Sequence, residues 1–211
     1  SPAVVPHPDD WPATAHTTGY WFLDEDKNWQ PPEALQRFLD AGQPPIYIGF
    51  GSMTGRDPDR MTRLIRDAVA QSGERALVAA GWSGLGAGDL PEHVHPIGLT
   101  PHPWLFARVA GVVHHGGAGT TAAGLRAGAP TLIIPHFADQ PFWGQRVHAL
   151  GVGPRPIPRQ HLTADRLAAG LRELRASPLR ERAAALSARI CAEDGLDQAV
   201  GHIARWCGIL G

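Results

Sequence analysis

Gly111-Val112-Val113-His114-His115-Gly116-Gly117-Ala118-Gly119-Thr120-Thr121 is the stretch that decides the fold of this 211-residue chain. It begins as a short apolar run of the kind buried in a parallel sheet. It then places three glycines within four positions and continues as a helix through Ala127. Glycines there let a bulky anion reach the backbone, and the helix start offers free N–H groups at the positive end of its dipole. Thr120 and Thr121 add hydroxyl donors, and His115 adds an imidazole, neutral or protonated. The pattern fits a phosphate cradle. It also fits a tight strand-to-helix turn that binds nothing, and the loop alone leaves both open.

The same alternation extends on both sides. Upstream, Ile46-Tyr47-Ile48-Gly49-Phe50 reads as a buried strand ending in Gly51-Ser52-Met53-Thr54-Gly55. A helix follows, with Asp57 as N-cap and Pro58 at its first position, and Met61, Leu64, Ile65, Ala68 and Val69 along one face. Strands are expected at 76–80 and 93–98, separated by the glycine-rich loop 81–88, with a short helix through Trp104-Leu105-Phe106. Downstream come a strand at 131–134, a helix from Pro141, and a last short strand near 152–157. About six strands alternating with helices predict an α/β, Rossmann-like, doubly wound parallel sheet, whose ligands sit outside the carboxyl ends of the strands. Three further segments, led by Thr163, Pro178 and Leu196, read as a helical C-terminal tail. Residues 1–32 carry six prolines with Trp11, Tyr20, Trp21, Phe22 and Trp29 between them, an irregular ordered segment whose rings must pack on something. We divide the chain into a linker and first helix, 1–43, and a ligand-binding domain, 44–211.

Other loops at the predicted strand ends carry chemistry. In Pro135-His136-Phe137-Ala138-Asp139-Gln140 a carboxylate and an amide stand together, able to accept from and donate to vicinal hydroxyls of a sugar. Asp139 also reads as the N-cap of the helix opened by Pro141, and both roles can hold at once. Ser52 offers a hydroxyl at the end of the first strand, or lies in an ordinary turn. Thr100-Pro101-His102-Pro103 stiffens a loop that could present backbone groups to a base edge, with His102 equally readable as a capping histidine and Trp104 as core.

Composition excludes other classes. With 20 acidic and 19 basic side chains the formal net charge is −1, which offers no field for nucleic acid or an anionic membrane. Twenty-five glycines and 20 prolines fall short of a disordered composition. Cys191 and Cys207, sixteen apart, form neither a zinc pattern nor a disulfide framework, and both read as reduced, partly buried thiols. No apolar run approaches the roughly 20 residues of a membrane helix, and no secretory signal opens the chain, so a cytoplasmic location is expected. A first residue that is Ser suggests a piece of something longer. A dehydrogenase reading fails, because no G-x-G-x-x-G follows the first strand and no acidic residue ends the second.

Taken together, Gly49-Phe50-Gly51-Ser52-Met53, Pro101-His102-Pro103-Trp104-Leu105-Phe106, His114 through Thr121, Gly128-Ala129-Pro130, and Asp139-Gln140 with Trp143 resemble the donor half of the GT-B glycosyltransferases of family 1. The likeness is nearest to sterol glucosyltransferases and to the enzymes that glycosylate antibiotics, and it spans about residues 44–160. The resemblance implies that Ser52, His115, Gly117, Gly119, Thr120 and Thr121 hold the diphosphate of a UDP-sugar or dTDP-sugar. It implies that Asp139 and Gln140 hold the sugar, and that Thr100, Pro101 and His102 read the base through their backbone. Two departures stand out. Ala123 occupies the position of a ribose-binding glutamate in plant relatives, and Leu99 that of a base-stacking tryptophan. Trp82 could supply the missing surface or simply pack. The family's general base sits in an N-terminal acceptor domain that this chain does not contain. The resemblance therefore implies half of an inverting, metal-independent enzyme acting on a lipophilic acceptor, possessing no cofactor and reaching a membrane only through its other half. No Asp-x-Asp stands at a strand end to carry a metal, and Asp24-Glu25-Asp26 reads as solvated charge. A non-catalytic nucleotide-binding module and half of a nucleotide-sugar epimerase are the alternatives.

Overall fold

Short runs of Ile, Val, Leu and Ala form the strands of the protein's computed structural model, which describes residues 1–23, 29–50, 58–79 and 91–208. Strands β1 (Ile46–Gly49), β2 (Ala76–Ala79), β3 (Val94–Ile97), β4 (Gly111–His114) and β5 (Thr131–Ile133) make one sheet in the order β3-β2-β1-β4-β5, every pair parallel. Chain order reverses between β1 and β4, and this switch point opens a crevice at their carboxyl ends. Ile46 pairs with Gly111 and Gly49 with His114, so the β4 loop emerges beside the end of β1.

Among the described residues five strands stand where about six were expected. The segment 152–157 runs beside β5 and makes two backbone hydrogen bonds with it, Thr131 N–H to the Val152 carbonyl and Ile157 N–H to the Ile133 carbonyl, both 3.1 Å. Pro154 and Pro156, which have no N–H, lie between these two bonds, and the segment runs as irregular chain rather than as a strand.

Side chains alternate across the sheet and bury two faces. On one, Ile46, Ile48, Val78, Val113 and Leu132 pack against Ile65, Ala68 and Val69 of α2 (Pro58–Ser72) and against Leu167, Leu171 and Leu174 of α6 (Ala164–Glu173). On the other, Tyr47, Leu77 and Val112 meet Leu35 of α1 (Glu33–Asp40) and Leu105 and Phe106 of α3 (His102–Phe106). Leu125 of α4 (Ala118–Arg126) and Val147 of α5 (Gln140–Ala149) pack with Ala183, Leu186 and Ile190 of α7 (Ser177–Cys191). The helical tail is thus built into both layers. Thr163 caps α6 as expected, its hydroxyl accepting from Arg166 N–H at 3.3 Å.

The N-terminal segment packs on the same body. Val4 is fully buried with Leu125 and Ile133, Arg146 donates to its carbonyl, and Ser1 donates to Glu193 at 2.7 Å. Helix α8 (Gly195–Trp206) lies against this segment: His16 stacks on His202 at 3.8 Å, and a Cβ on Gly195 would fall 2.7 Å from the Gly19 carbonyl carbon. Trp29 pairs with Trp104 at 4.8 Å, which leaves Trp104 partly buried on the second core. Leu196, Val200, Ile203 and Trp206 face outward. Both cysteines, expected to be partly buried, are exposed free thiols, because Cys191 closes the outer last turn of α7 and Cys207 follows the end of α8. No helix among the described residues is long and apolar enough to cross a membrane. Asp57, Asp24-Glu25-Asp26 and Ile209-Leu210 lie outside the described residues.

Candidate functional site

The β4–α4 turn keeps its helix start open. Gly117 is the N-cap of α4 and supplies no side-chain cap. The first helical bond runs from Thr121 N–H to the Gly117 carbonyl at 2.9 Å. The N–H groups of Ala118, Gly119 and Thr120 therefore have no carbonyl within the helix and sit at its positive end. Gly116 is required by geometry: its φ is 95°, and an added Cβ would lie 2.7 Å from Ile133 Cγ2. Its N–H donates to Nδ1 of the wholly buried His114 at 3.0 Å, which fixes the turn from inside. An added Cβ on Gly117 would lie 2.7 Å from Nε2 of His115, so that imidazole folds directly over the turn. At Gly119 an added Cβ would meet nothing within 4 Å. The open volume lies beside the unpaired N–H groups.

The two threonines part company. Thr121 is wholly buried and its hydroxyl donates to the Gly117 carbonyl at 2.9 Å, so it braces the turn and has no free donor for a ligand. Thr120 is half-buried on the open side. Of the two hydroxyls Thr120 has the freer one, because a threonine one turn into a helix bonds back to the fourth preceding carbonyl when it faces the core.

Asp139 and Gln140 also differ from their joint reading. Gln140, 5% exposed, turns its Oε1 onto the N–H groups of His136 (2.7 Å) and Phe137 (3.1 Å), clamping the β5–α5 loop. Asp139 occupies the N-cap position of α5 but makes no capping bond; it is exposed and accepts from the Trp143 indole at 2.8 Å. Its carboxylate remains on the surface and attracts His115 electrostatically. Ala138, at φ 55°, makes the bend immediately before Asp139.

Burial pushes the His115 pKa down, against the opposing pull of Asp139, and its Nδ1 is buried without a hydrogen-bond partner. His114 is pushed down to about 3, chiefly by burial and then by His115 and His102. His136 is pushed down to about 4 by burial, then by Arg159 and His115. Neutral imidazoles line this edge at neutral pH. His136 and Phe50, whose rings stack at 5.9 Å, were missed as site residues in the sequence. An unexplained histidine three residues before Asp139 was the available signal.

In the β3–α3 loop, the His102 ring stacks on Phe106 at 4.5 Å and meets Tyr47 edge-on, turned into the core as a packing residue. Thr100 donates to the Gly98 carbonyl at 3.2 Å, and Pro101 caps α3. Leu99 is wholly exposed and Ala123 packs on the core, so neither departure is filled by a polar group. Ser52 and Trp82 lie outside the described residues. No group of three or more His, Cys, Asp or Glu among the described residues could hold a metal ion.

Sheet order, switch-point turn and open helix start define the C-terminal, donor-type domain of the GT-B fold. The solved glycotransferase of kitacinnamycin has that fold, with a TM-score of 0.71 and 27% identity over 90% of this chain and 48% of its own. Glycosyltransferase VinC, solved in complex with dTDP, gives 0.65 and 26% over 78% and 41%. Residues 63–203 match the erythromycin biosynthesis protein CIII-like, C-terminal domain, and the chain belongs to that family. The sterol 3-beta-glucosyltransferase UGT80A2 of Arabidopsis thaliana is 44% identical over 95% of the chain, and that of Aspergillus fumigatus 42% over 97%. The chain spans 32% and 15% of those relatives' lengths.

Proposed function

We propose that the chain is the donor-binding domain of an inverting glycosyltransferase. The full protein moves a hexose from a UDP-glucose-like nucleotide sugar to a hydroxyl of a lipophilic acceptor, a sterol or a natural product. The observation that carries this reading is the uncapped start of α4, with His115 folded over Gly117 and open space beside Gly119. The names of the sterol glucosyltransferase relatives and the dTDP complex of VinC support it. An acceptor hydroxyl, deprotonated by a base in an N-terminal domain, attacks the anomeric carbon while the nucleoside diphosphate leaves. Negative charge grows on the leaving β-phosphate, and the N–H groups of Gly119 and Thr120, the Thr120 hydroxyl, the His115 imidazole and the helix dipole stabilise it without a metal. Asp139 accepts from the sugar hydroxyls while retaining its indole bond, and Gln140, whose Oε1 holds the loop, donates to the sugar through its side-chain NH2.

Calorimetric titration with UDP, dTDP, UDP-glucose and NAD, with and without Mg²⁺, tests the reading. Metal-independent UDP binding that His115→Ala weakens about tenfold or more is the expected result. No binding of any nucleotide sinks it. Asp139→Asn, which keeps an acceptor for Trp143, separates a sugar-nucleotide binder from a bare nucleotide module. The former loses the affinity difference between UDP-glucose and UDP, and the latter shows no change.

A further inference from the structure

His136 follows β5 at the same sheet edge as His115. His114 pairs with Ile133, and Ile134 N–H donates to the His114 carbonyl at 2.8 Å, so the chain segments bearing His115 and His136 leave adjacent strands side by side. The His136 backbone is held by Gln140 Oε1 at 2.7 Å, and its ring rests against Phe50 at an interplanar angle of 28°. Neither ring nitrogen of His136 has a hydrogen-bond partner, although both are buried; His115 Nδ1 is in the same condition. A neutral imidazole carries one donor and one acceptor, and leaving a buried polar group unbonded is unfavourable. Neither ring needs these nitrogens for packing. His115 lies over the start of α4, where a Cβ on Gly117 would fall 2.7 Å from its Nε2, and His136 is near enough to His115 for the two to interact electrostatically.

We propose that His136 is a second imidazole contact for the diphosphate of the donor, acting beside His115, and that donor binding is accompanied by proton uptake at this pair. The inference rests on the donor-binding reading above. In the free protein both imidazoles are held below their ordinary pKa. A diphosphate brings two negative charges, and opposite charge within about 4–6 Å raises a histidine's pKa by about 1–3 units. One imidazole then takes a proton from solvent and becomes a charge-assisted donor to a phosphate oxygen. Among the described residues, Arg159 and His115 oppose protonation of His136, and Asp139 favours that of His115. His114 does not join them, because its whole ring is buried, with Nδ1 accepting from the Gly116 N–H and Nε2 enclosed without a partner, whereas His115 and His136 are only partly buried.

The test is calorimetric titration of the 211-residue chain with UDP-glucose at pH 6 in two buffers of different ionisation enthalpy. UDP-glucose is used because its diphosphate is esterified at both ends and keeps its charge, whereas a terminal phosphate titrates near pH 6. The wild-type chain is expected to take up about half to one proton per ligand, with affinity rising about three- to tenfold from pH 7.5 to 5.5. His136→Phe keeps the ring on Phe50; it should bind about tenfold more weakly and take up less than half as many protons. His136→Gln restores a donor but no titrating group, so affinity returns in part and uptake stays low. Thermal melts confirm that each variant is folded. Unchanged affinity and uptake in His136→Phe, or full uptake in His136→Gln, overturns the inference while leaving the donor reading intact. A wild-type chain that binds neither UDP nor UDP-glucose overturns both.

Discussion

Replacing Gly119 with alanine should make the protein more stable and a poorer binder at once. An added Cβ there meets no atom within 4 Å, so the fold has no steric reason for glycine in the first turn of α4. Alanine restricts the unfolded chain and favours helix, which contributes about 0.4–1 kcal/mol. For a chain of this size the melting temperature should rise by about 1–4 °C. The same methyl would occupy the space in which a phosphate oxygen approaches the N–H groups of Gly119 and Thr120. Losing one charge-assisted hydrogen bond costs about 1.5–3 kcal/mol, equivalent to about a 10- to 150-fold weaker Kd for UDP. Thermal denaturation and calorimetric titration on one preparation measure both. Unchanged UDP affinity in a stabilised Gly119→Ala variant would show that this space is not the phosphate seat. A melting temperature lowered by several degrees would show that the space is not open at all.

Gly116→Ala should behave oppositely: at φ 95° and 2.7 Å from Ile133 Cγ2 it should lose more than about 2 kcal/mol in urea unfolding, whatever the ligand. Thr121→Val should lose about 1 kcal/mol of stability with less than a twofold change in UDP affinity, whereas Thr120→Val should retain stability and bind UDP about fivefold or more weakly. Acid should destabilise the fold through His114. Its folded pKa, about 3, lies below the unfolded 6.5, so below pH 6.5 the unfolded chain binds a proton that the folded chain does not. That removes about 2 kcal/mol between pH 6.5 and 5 and continues toward pH 3. Urea midpoints across this range should fall for the wild type and fall less steeply for His114→Leu, which starts from a lower stability at pH 7.

The layering was legible in the sequence because alternation of short apolar runs with 3.6-period segments reports burial directly, and each βα unit is local. The glycine spacing of 116–119 marked the turn for the same reason, since only backbone geometry and open space demand glycine there. The exceptions all involve partners distant in sequence or an interruption that periodicity does not weigh. Val152 to Ile157 has the apolar ends of a strand but contains Gly153, Pro154 and Pro156, and it runs beside β5 as irregular chain joined by two backbone hydrogen bonds. Val4 gives no local sign that it will be buried with Leu125 and Ile133.

The candidate site divides along the same line. Its loops and residue types came from the sequence, but the direction each polar group faces came from the tertiary structure. Thr120 and Thr121 are chemically identical neighbours, about 100° apart on a helix, and only packing of α4 on the sheet turns one hydroxyl inward. Gln140 has its Oε1 taken up by two backbone N–H groups that the β5–α5 loop places within reach, which leaves its side-chain NH2 as the group it can offer a ligand. His136 joins the site only because β5 lies next to β4. A sequence determines which donors and acceptors a chain possesses. Which of them satisfy one another, and which are left for a ligand, depends on distances across elements that no linear pattern contains.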